Sequence, residues 1–293
     1  MIDNQMALNA VRRASRVDKA VKSAYWAVAI GIFAIIAWLF FIILQKGLPG
    51  LTLGFLTGLP SELEEGGGIG PFLFNSFYVL FISLAIAIPV GVGAGICLAE
   101  YAPDNGVTRL IKMSVEALAS VPSIVFGLFG MAIFVDSFHI GLTIIGAGIT
   151  LAMLNLPTIT RVTEVSVRAV PRELREASLA LGATKFQTIW QVVLPAAMQG
   201  ITTGIGLTAG RAFGESAVII LTAGTSTSGA LWDFNLFSPG ETLAVHLWYV
   251  QAEALVADAK EIANRTAAVL VIVMLCFNIL LRVPLMVKHF RQR

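Results

Sequence analysis

Two charges stand inside an otherwise apolar stretch of this 293-residue chain. Residues 200–222 carry Arg211 and Glu215 four positions apart, among Gly200, Gly204, Gly206, Gly210 and Gly214. On one helix, residues i and i+4 share a side and can reach each other. An arginine at the centre of a membrane helix costs about 2.5–3.5 kcal/mol on insertion scales, so it normally faces a partner or a watery cavity. Its guanidinium is a planar fork of donors that suits the oxygens of a phosphate-like anion, as a lysine ammonium does not. The residues support two readings. In one, Arg211 meets an oxyanion in a pathway and Glu215 competes for it, so the anion is released. In the other, the pair is a structural lock between helices. The glycine steps of four leave a helix face of nearly bare backbone, suited to close approach by another helix.

A second group of residues is polar and local. From Val170 to Pro195 the chain reads VPRELREASLALGATKFQTIWQVVLP. Pro171 suits a helix start, and the residues through Leu181 are good helix formers. Gly182 can end that helix in a left-handed conformation, and Thr184 can cap a second one that Pro195 stops or bends. The expected local structure is a protruding helix-turn-helix.

Other chemistry is missing from the sequence. The histidines are His139, His246 and His289, with no CxxC pair or His/Cys cluster to hold a metal. Cys97 and Cys276 lie in or beside apolar runs and read as small hydrophobes rather than a framework disulfide. None of the seven lysines follows a glycine, so the G-x-x-x-x-G-K-[ST] phosphate loop cannot occur. No paired acids, Ser/His set or metal ligands gather at one depth, which ranks a membrane-embedded enzyme last.

The elements that must position these residues follow from composition. Hydrophobic residues make up 57% of the chain and charged residues 13%, against about 25% charged in soluble domains. That excludes a secreted disulfide scaffold, a disordered protein and a typical cytosolic enzyme. A helix crosses the hydrocarbon layer with about 20 apolar residues. Six spans are expected, at 24–44, 71–99, 117–135, 137–160, 200–222 and 266–287, with Arg282 close enough to the last end to snorkel. The first is too long for a signal-peptide core and lacks a small-residue cleavage site, so it reads as an anchor. Sixteen of the twenty Lys and Arg residues fall on one side of this arrangement, against Lys46, Lys260 and Arg265 on the other. That bias places both termini in the cytoplasm. The loop with Glu62, Glu64 and Glu65 reads as a mobile turn, and the long 223–265 segment is expected to hold short helices at the outer mouth. Glu116 and Glu164 are candidates for ion pairs on the cytoplasmic side. Asn75, Ser76, Ser123 and Asn155 read as groups that satisfy helix backbones more than as path-lining residues.

The Glu176-Ala177-Ser178 triplet, with Gly182 after three residues and Val192-x-Leu194-Pro195 after nine more, resembles the EAA loop of ABC-importer permeases. Ser178 stands for the second Ala and Val192 for an Ile. The resemblance implies the type I ABC importer (MetI-like) fold, an all-α membrane protein of six transmembrane helices. It also implies that Glu176, Ala177, Gly182, Leu194 and Pro195 couple the chain to a separate ATPase.

Gly210-Arg211-Ala212-Phe213-Gly214-Glu215-Ser216 is similar to the G-R-A-x-G-E-T signature of the phosphate-specific (Pst) permeases. Residues 89–102 and 120–130 match the same family. Asn235-Leu236-Phe237 and Glu241 with Leu243–His246 resemble the PstA-type subunit more than its PstC-type partner. The resemblance implies a permease subunit of an inorganic phosphate importer, with Arg211 and Glu215 in the substrate pathway. The chain itself would be no enzyme and bind no cofactor, ATP and Mg being used by a PstB-type ATPase dimer. A PstC-type permease, a PstS-type external phosphate-binding protein and membrane lipid complete the implied partners, without nucleic acid, in the bacterial inner membrane.

The organisation then expected is a cytoplasmic basic tail at 1–23, the first membrane helix at 24–44, an external loop at 45–70 and a permease core at 71–287. That core contains a cytoplasmic coupling loop at 161–199 and an external loop at 223–265, and 288–293 forms a cytoplasmic end. The rivals are a permease for another oxyanion (phosphonate, molybdate or sulfate) and a gradient-driven secondary carrier using Glu215.

Overall fold

Long apolar runs with few turn residues dictate helices, and helices are what the chain forms. The computed structural model describes residues 2–61, 66–253 and 256–291, in which the extended pairing is a single bridge between Thr227 and Gly240. Helix α1 (Ile2–Gly47) is followed by α2 (Leu53–Thr57) and α3 (Gly70–Ile96), which continues as a π-turn through Tyr101. Next come α4 (Gly106–Ala119), α5 (Ser123–Gly130) and α6 (Ile144–Arg168). Helices α7 (Arg172–Ala180), α8 (Lys185–Thr188), α9 (Leu194–Phe213) and α10 (Ala217–Thr222) lead to α11 (Leu243–Ala252) and α12 (Ala259–Arg291).

Among the described residues, five helical stretches are long and apolar enough to cross a membrane: Val17–Gly50, Gly70–Tyr101, Ile144–Arg168, Lys185–Phe213 and Ala259–Leu280. A sixth arises from Gly106–Ala119 with Ser123–Ser137, a pair bent by 95°. The straight span expected at 117–135 is therefore broken. Pro122 pushes Val121 away from helical geometry and lacks the N–H that would continue the ladder. The span expected at 137–160 begins later, after a turn in which His139 and Gly141 have positive φ, and Thr143 caps α6. It also runs on to Arg168, because the charges at its end are paired. Glu62, Glu64 and Glu65 and the Arg282 side chain lie outside the described residues.

Close packing follows from small residues. A Cβ on Gly95 would lie 2.5 Å from Thr163 Cβ and 2.7 Å from the Thr160 carbonyl, and one on Gly91 would meet Ile159 at 2.8 Å. Helices α3 and α6 therefore touch backbone to side chain, as in small-residue membrane interfaces. Gly200 and Gly204 admit Ser166 and Val162 of α6 in the same way, whereas Gly210 and Gly214 face Asn278 and Met274 of α12. The glycines of α9 thus serve two partner helices rather than one face. Val79, Leu80, Ile144, Leu151, Phe213, Val218 and Val245 fill the space between these helices.

Of the short helices expected at 223–265 the described residues hold one, α11, and the last residues of that segment already belong to α12, which opens at Ala259. Alpha-11 packs on α3 and α12, and a second apolar cluster of Phe55, Phe72, Leu243, Val250 and Val269 seals this end.

Candidate functional site: an exposed arginine and a clamped helix-turn-helix

Arg211 occupies the last turn of α9 and is exposed. The exposed positions Gln199, Thr203, Leu207 and Arg211 recur every four residues and form one stripe along the helix. A cation in a last helical turn also complements the helix dipole. Among the described residues Arg211 has no hydrogen bond or ion pair.

Glu215 does not share this helix. Alpha-9 ends at Phe213, Gly214 has φ −90° and ψ 4°, and Glu215 stands in the break before α10. Its backbone N–H donates to the Ala212 carbonyl at 3.2 Å, while its half-buried carboxylate makes no ion pair with Arg211. The i, i+4 pairing expected from the sequence presumed a continuous helix at 200–222. A glycine at 214 lets that helix end, and the pair comes apart.

The polar segment folds as its residues dictate. Alpha-7 starts after Pro171 and Gly182 turns with φ +87°. Thr184 and Gln187 form a reciprocal capping box: the Gln187 N–H donates to Thr184 Oγ1 at 3.3 Å, and the Thr184 N–H to Gln187 Oε1 at 2.8 Å. Pro195 sits in the first turn of α9, to which α8 is joined by a π-turn. The boundaries expected at 161 and 199 therefore fall inside α6 and α9. Val193 is buried with Val167, Val170, Ala197 and Ile201, rooting the hairpin; Leu194 is half-buried beside them.

The opposite surface of this hairpin is open. Glu176 and Ala177 are exposed on α7. Leu174, Leu179, Leu181, Phe186 and Trp190 are exposed as well, Leu181 to 89%. Apolar side chains clustered on a polar protrusion mark an interaction surface.

The hairpin's inner side is held by ions that sequence reasoning left without a role. Arg175 donates to Glu100 Oε1 through Nε at 3.0 Å and Nη2 at 2.8 Å, and Lys185 Nζ donates to the Glu100 carbonyl at 2.6 Å. A neighbouring node centres on Glu164, whose side chain is 3% exposed. Lys112 lies 2.8 Å from it, Arg168 3.0 Å and Arg161 3.2 Å, and Arg161 also pairs with Glu116 at 2.6 Å. The ion pairs expected for Glu116 and Glu164 are thus present, and they tie α4 to α6.

At the other end of the bundle, Asn75 Nδ2 donates to the Glu241 carbonyl at 3.2 Å. The Leu243 N–H donates to Ser76 Oγ at 2.8 Å, and Asn155 Nδ2 to Ser83 Oγ at 3.2 Å. Asn75, Ser76 and Asn155 therefore fasten helices. His246 stacks on Phe72 with ring centroids 3.7 Å apart and has Nδ1 3.2 Å from Glu241 Oε1. Burial pushes its pKa down to about 4, so at neutral pH the ring is uncharged and this contact is a hydrogen bond rather than an ion pair. These two residues border a cavity of about 70 Å³. Nearby, hydrogen bonds from Ser238, the Asn235 amide and Ser228 hold the Asp233 carboxyl below the usual range.

Comparison with known proteins agrees with this architecture. A family model described as binding-protein-dependent transport system inner membrane component matches residues 87–293. The probable ABC transporter permease protein YqgI of Bacillus subtilis (strain 168) is 45% identical over 275 residues, covering 90% of this chain and 94% of that one. The phosphate transport system permease protein PstA of Haemophilus influenzae is 33% identical over 259 residues, covering 88% and 90%. Among solved structures, a chain of a bacterial ABC transporter involved in the import of the acidic polysaccharide alginate aligns with a TM-score of 0.60 at 15% identity. It covers 91% of this chain and 98% of that one. A chain of the inward-facing MetNI methionine ABC transporter aligns with a TM-score of 0.56 at 21% identity, covering 75% and 94%. At these identities the structural likeness is one of fold, that of the MetI-like type I ABC importers.

Proposed function

With the chain a member of the binding-protein-dependent transport system inner membrane components, and so an ABC-importer permease subunit of a multi-pass membrane protein class, we propose that its cargo is inorganic phosphate. The observation that carries the cargo assignment is Arg211: an exposed guanidinium, without a carboxylate partner among the described residues, on the stripe that α9 presents away from its own bundle. A free guanidinium offers an oxyanion a bidentate site. The likeness to PstA proteins over most of the chain supports the same reading.

In this reading the α7–α8 hairpin is cytoplasmic and its open face, with Glu176, Ala177 and Leu181, docks a separate ATPase dimer. That partner binds and hydrolyses ATP with Mg, and this chain supplies no ATP site. A second permease completes the pathway, and an external binding protein delivers phosphate to the end formed by α2 and α11. The chain lies in the bacterial inner membrane with both termini in the cytoplasm. Closure of the ATPase pair pushes the hairpin, the helices rock, and phosphate passes Arg211 with no bond in it changed.

The test uses proteoliposomes holding this chain with its partner permease and ATPase, supplied with binding protein and radiolabelled phosphate. ATP-dependent uptake is expected, and Glu176→Lys is expected to release the ATPase from the purified complex or sever uptake from hydrolysis. Uptake that persists on a proton gradient after ATP depletion would instead identify a secondary carrier. Competition by molybdate, sulfate or phosphonate stronger than by phosphate would reassign the cargo.

A further inference from the structure

We infer that Glu100 is the joint through which the helix-turn-helix moves α3, with Arg175 as its positioning residue; this inference rests on the importer reading above. The last carbonyls of a helix have no intrahelical partner and attract cations. At this end of α3 those carbonyls are taken by residues from the hairpin and its root. Arg168 Nη2 donates to the Leu98 carbonyl at 3.1 Å, and Lys185 Nζ to that of Glu100 at 2.6 Å while lying 4.8 Å from the centre of the Tyr101 ring.

Both arms of the hairpin converge on one residue. Arg175, from α7, takes the Glu100 carboxylate; Lys185, opening α8, takes its carbonyl. The remaining donors of the Arg175 guanidinium hold the carbonyls of Val167 at 2.7 Å, Val170, and Pro171 at 3.4 Å. One planar fork therefore joins the ends of α3, α6 and α7. The Arg175 and Glu100 side chains are 20% and 12% exposed, so solvent screens this pair less than a surface pair.

Alpha-3 is built to carry a displacement. It is one stretch from Gly70 to Tyr101, about 48 Å long at 1.5 Å per residue. Its flank at Gly91 and Gly95 lies against α6. At the far end Asn75 and Ser76 hold the start of α11. A push on the open face of α7 thus reaches the opposite end of the bundle through Glu100, whereas the docking face itself lies on other residues. Loss of the joint should leave the ATPase seated and disconnect its work from transport.

The test measures phosphate taken up per ATP hydrolysed by the full complex in proteoliposomes, with the amount of ATPase retained on the purified complex. Glu100→Gln is the mild variant, keeping an acceptor oxygen and every backbone bond of Arg175; Arg175→Lys removes the fork but keeps a charge. Both are expected to retain the ATPase at the wild-type ratio and to lower uptake per ATP at least tenfold. Combining them should cost little more than the worse single change, as for two ends of one contact. Uptake per ATP within twofold of wild type in Glu100→Gln would overturn the inference. Loss of the ATPase or of the folded complex in that variant would also overturn it, assigning the pair to hairpin folding alone. A wild-type complex that hydrolyses ATP and imports another oxyanion would refute the phosphate assignment, yet the same ratio read with that oxyanion still judges the joint. A wild-type complex showing no ATP-driven uptake would overturn both.

Discussion

Arg211 and Glu215, four residues apart, belong to different structural elements: α9 closes at Phe213 and Glu215 stands beyond it with no bond to the guanidinium. Among the described residues no carboxylate neutralises the cation on the exposed stripe of α9. The two residues should therefore differ in their effect on transport. Arg211→Ala is expected to abolish phosphate uptake in proteoliposomes while the complex still assembles, with Arg211→Lys recovering part of it. Glu215→Gln is expected to be milder than either. Equal losses from Arg211→Ala and Glu215→Gln would restore the paired arrangement.

The contact between α3 and α6 makes a signed prediction. A methyl added at Gly95 would overlap Thr163 and the Thr160 carbonyl, whereas at Gly93 it would meet nothing within 4 Å. Gly95→Ala should destabilise by about 1–3 kcal/mol through overpacking. Gly93→Ala should stabilise by up to about 1 kcal/mol, because alanine costs the helix less entropy than glycine. Thermal unfolding of the detergent-solubilised complex should move in opposite directions for the two.

Glu164 is the buried anion among Lys112, Arg161 and Arg168. Removing one member of a buried ion pair costs about 3–5 kcal/mol, since the remaining charges lose their partner. Arg161 and Arg168 are about half exposed and can turn to water, so Glu164→Ala should fall at the low end, about 3 kcal/mol. A thermal shift indistinguishable from wild type would show that α4 is held to α6 by apolar packing instead.

His246 gives a pH dependence. Its folded pKa, about 4, lies below the 6.5 of an unburied histidine, so the unfolded chain binds the extra proton between these values. Stability of the α11 end is complete above pH 6.5 and declines as pH falls toward 4, by about 1.4 kcal/mol for each unit of pKa difference. The opening free energy of the Leu243 and His246 amides, taken from hydrogen exchange after division by the intrinsic rate at each pH, should fall over that window and stay level between pH 7 and 9. His246→Gln should flatten the change; an unaltered profile in that variant would place the titration elsewhere.

Local features of this chain were readable before any packing was known. The hairpin at Pro171–Pro195 appears where a proline start, a glycine at 182 with φ +87° and a threonine cap require it, because each device acts within a few residues. The existence of long apolar helices followed from charge depletion alone, since a membrane solvent sets their length. The Glu116 and Glu164 pairs were readable as candidates because carboxylates at the ends of apolar runs lie close to Lys112, Arg161 and Arg168; that Glu164 is buried and Glu116 half exposed was not.

Tertiary structure decided the rest. Gly214 permits α9 to end, and the end is fixed where Gly210 and Gly214 pack against Asn278 and Met274, sixty or more residues away. Pro122 was visible, but the 95° bend it permits is set by how α4 and α5 meet α6 and α10. The meeting of Glu100 with Arg175 joins residues 75 apart in sequence, and no local pattern encodes it. Periodicity reports which face of a helix is apolar; only the assembled bundle determines which polar atoms from distant segments come within hydrogen-bond range.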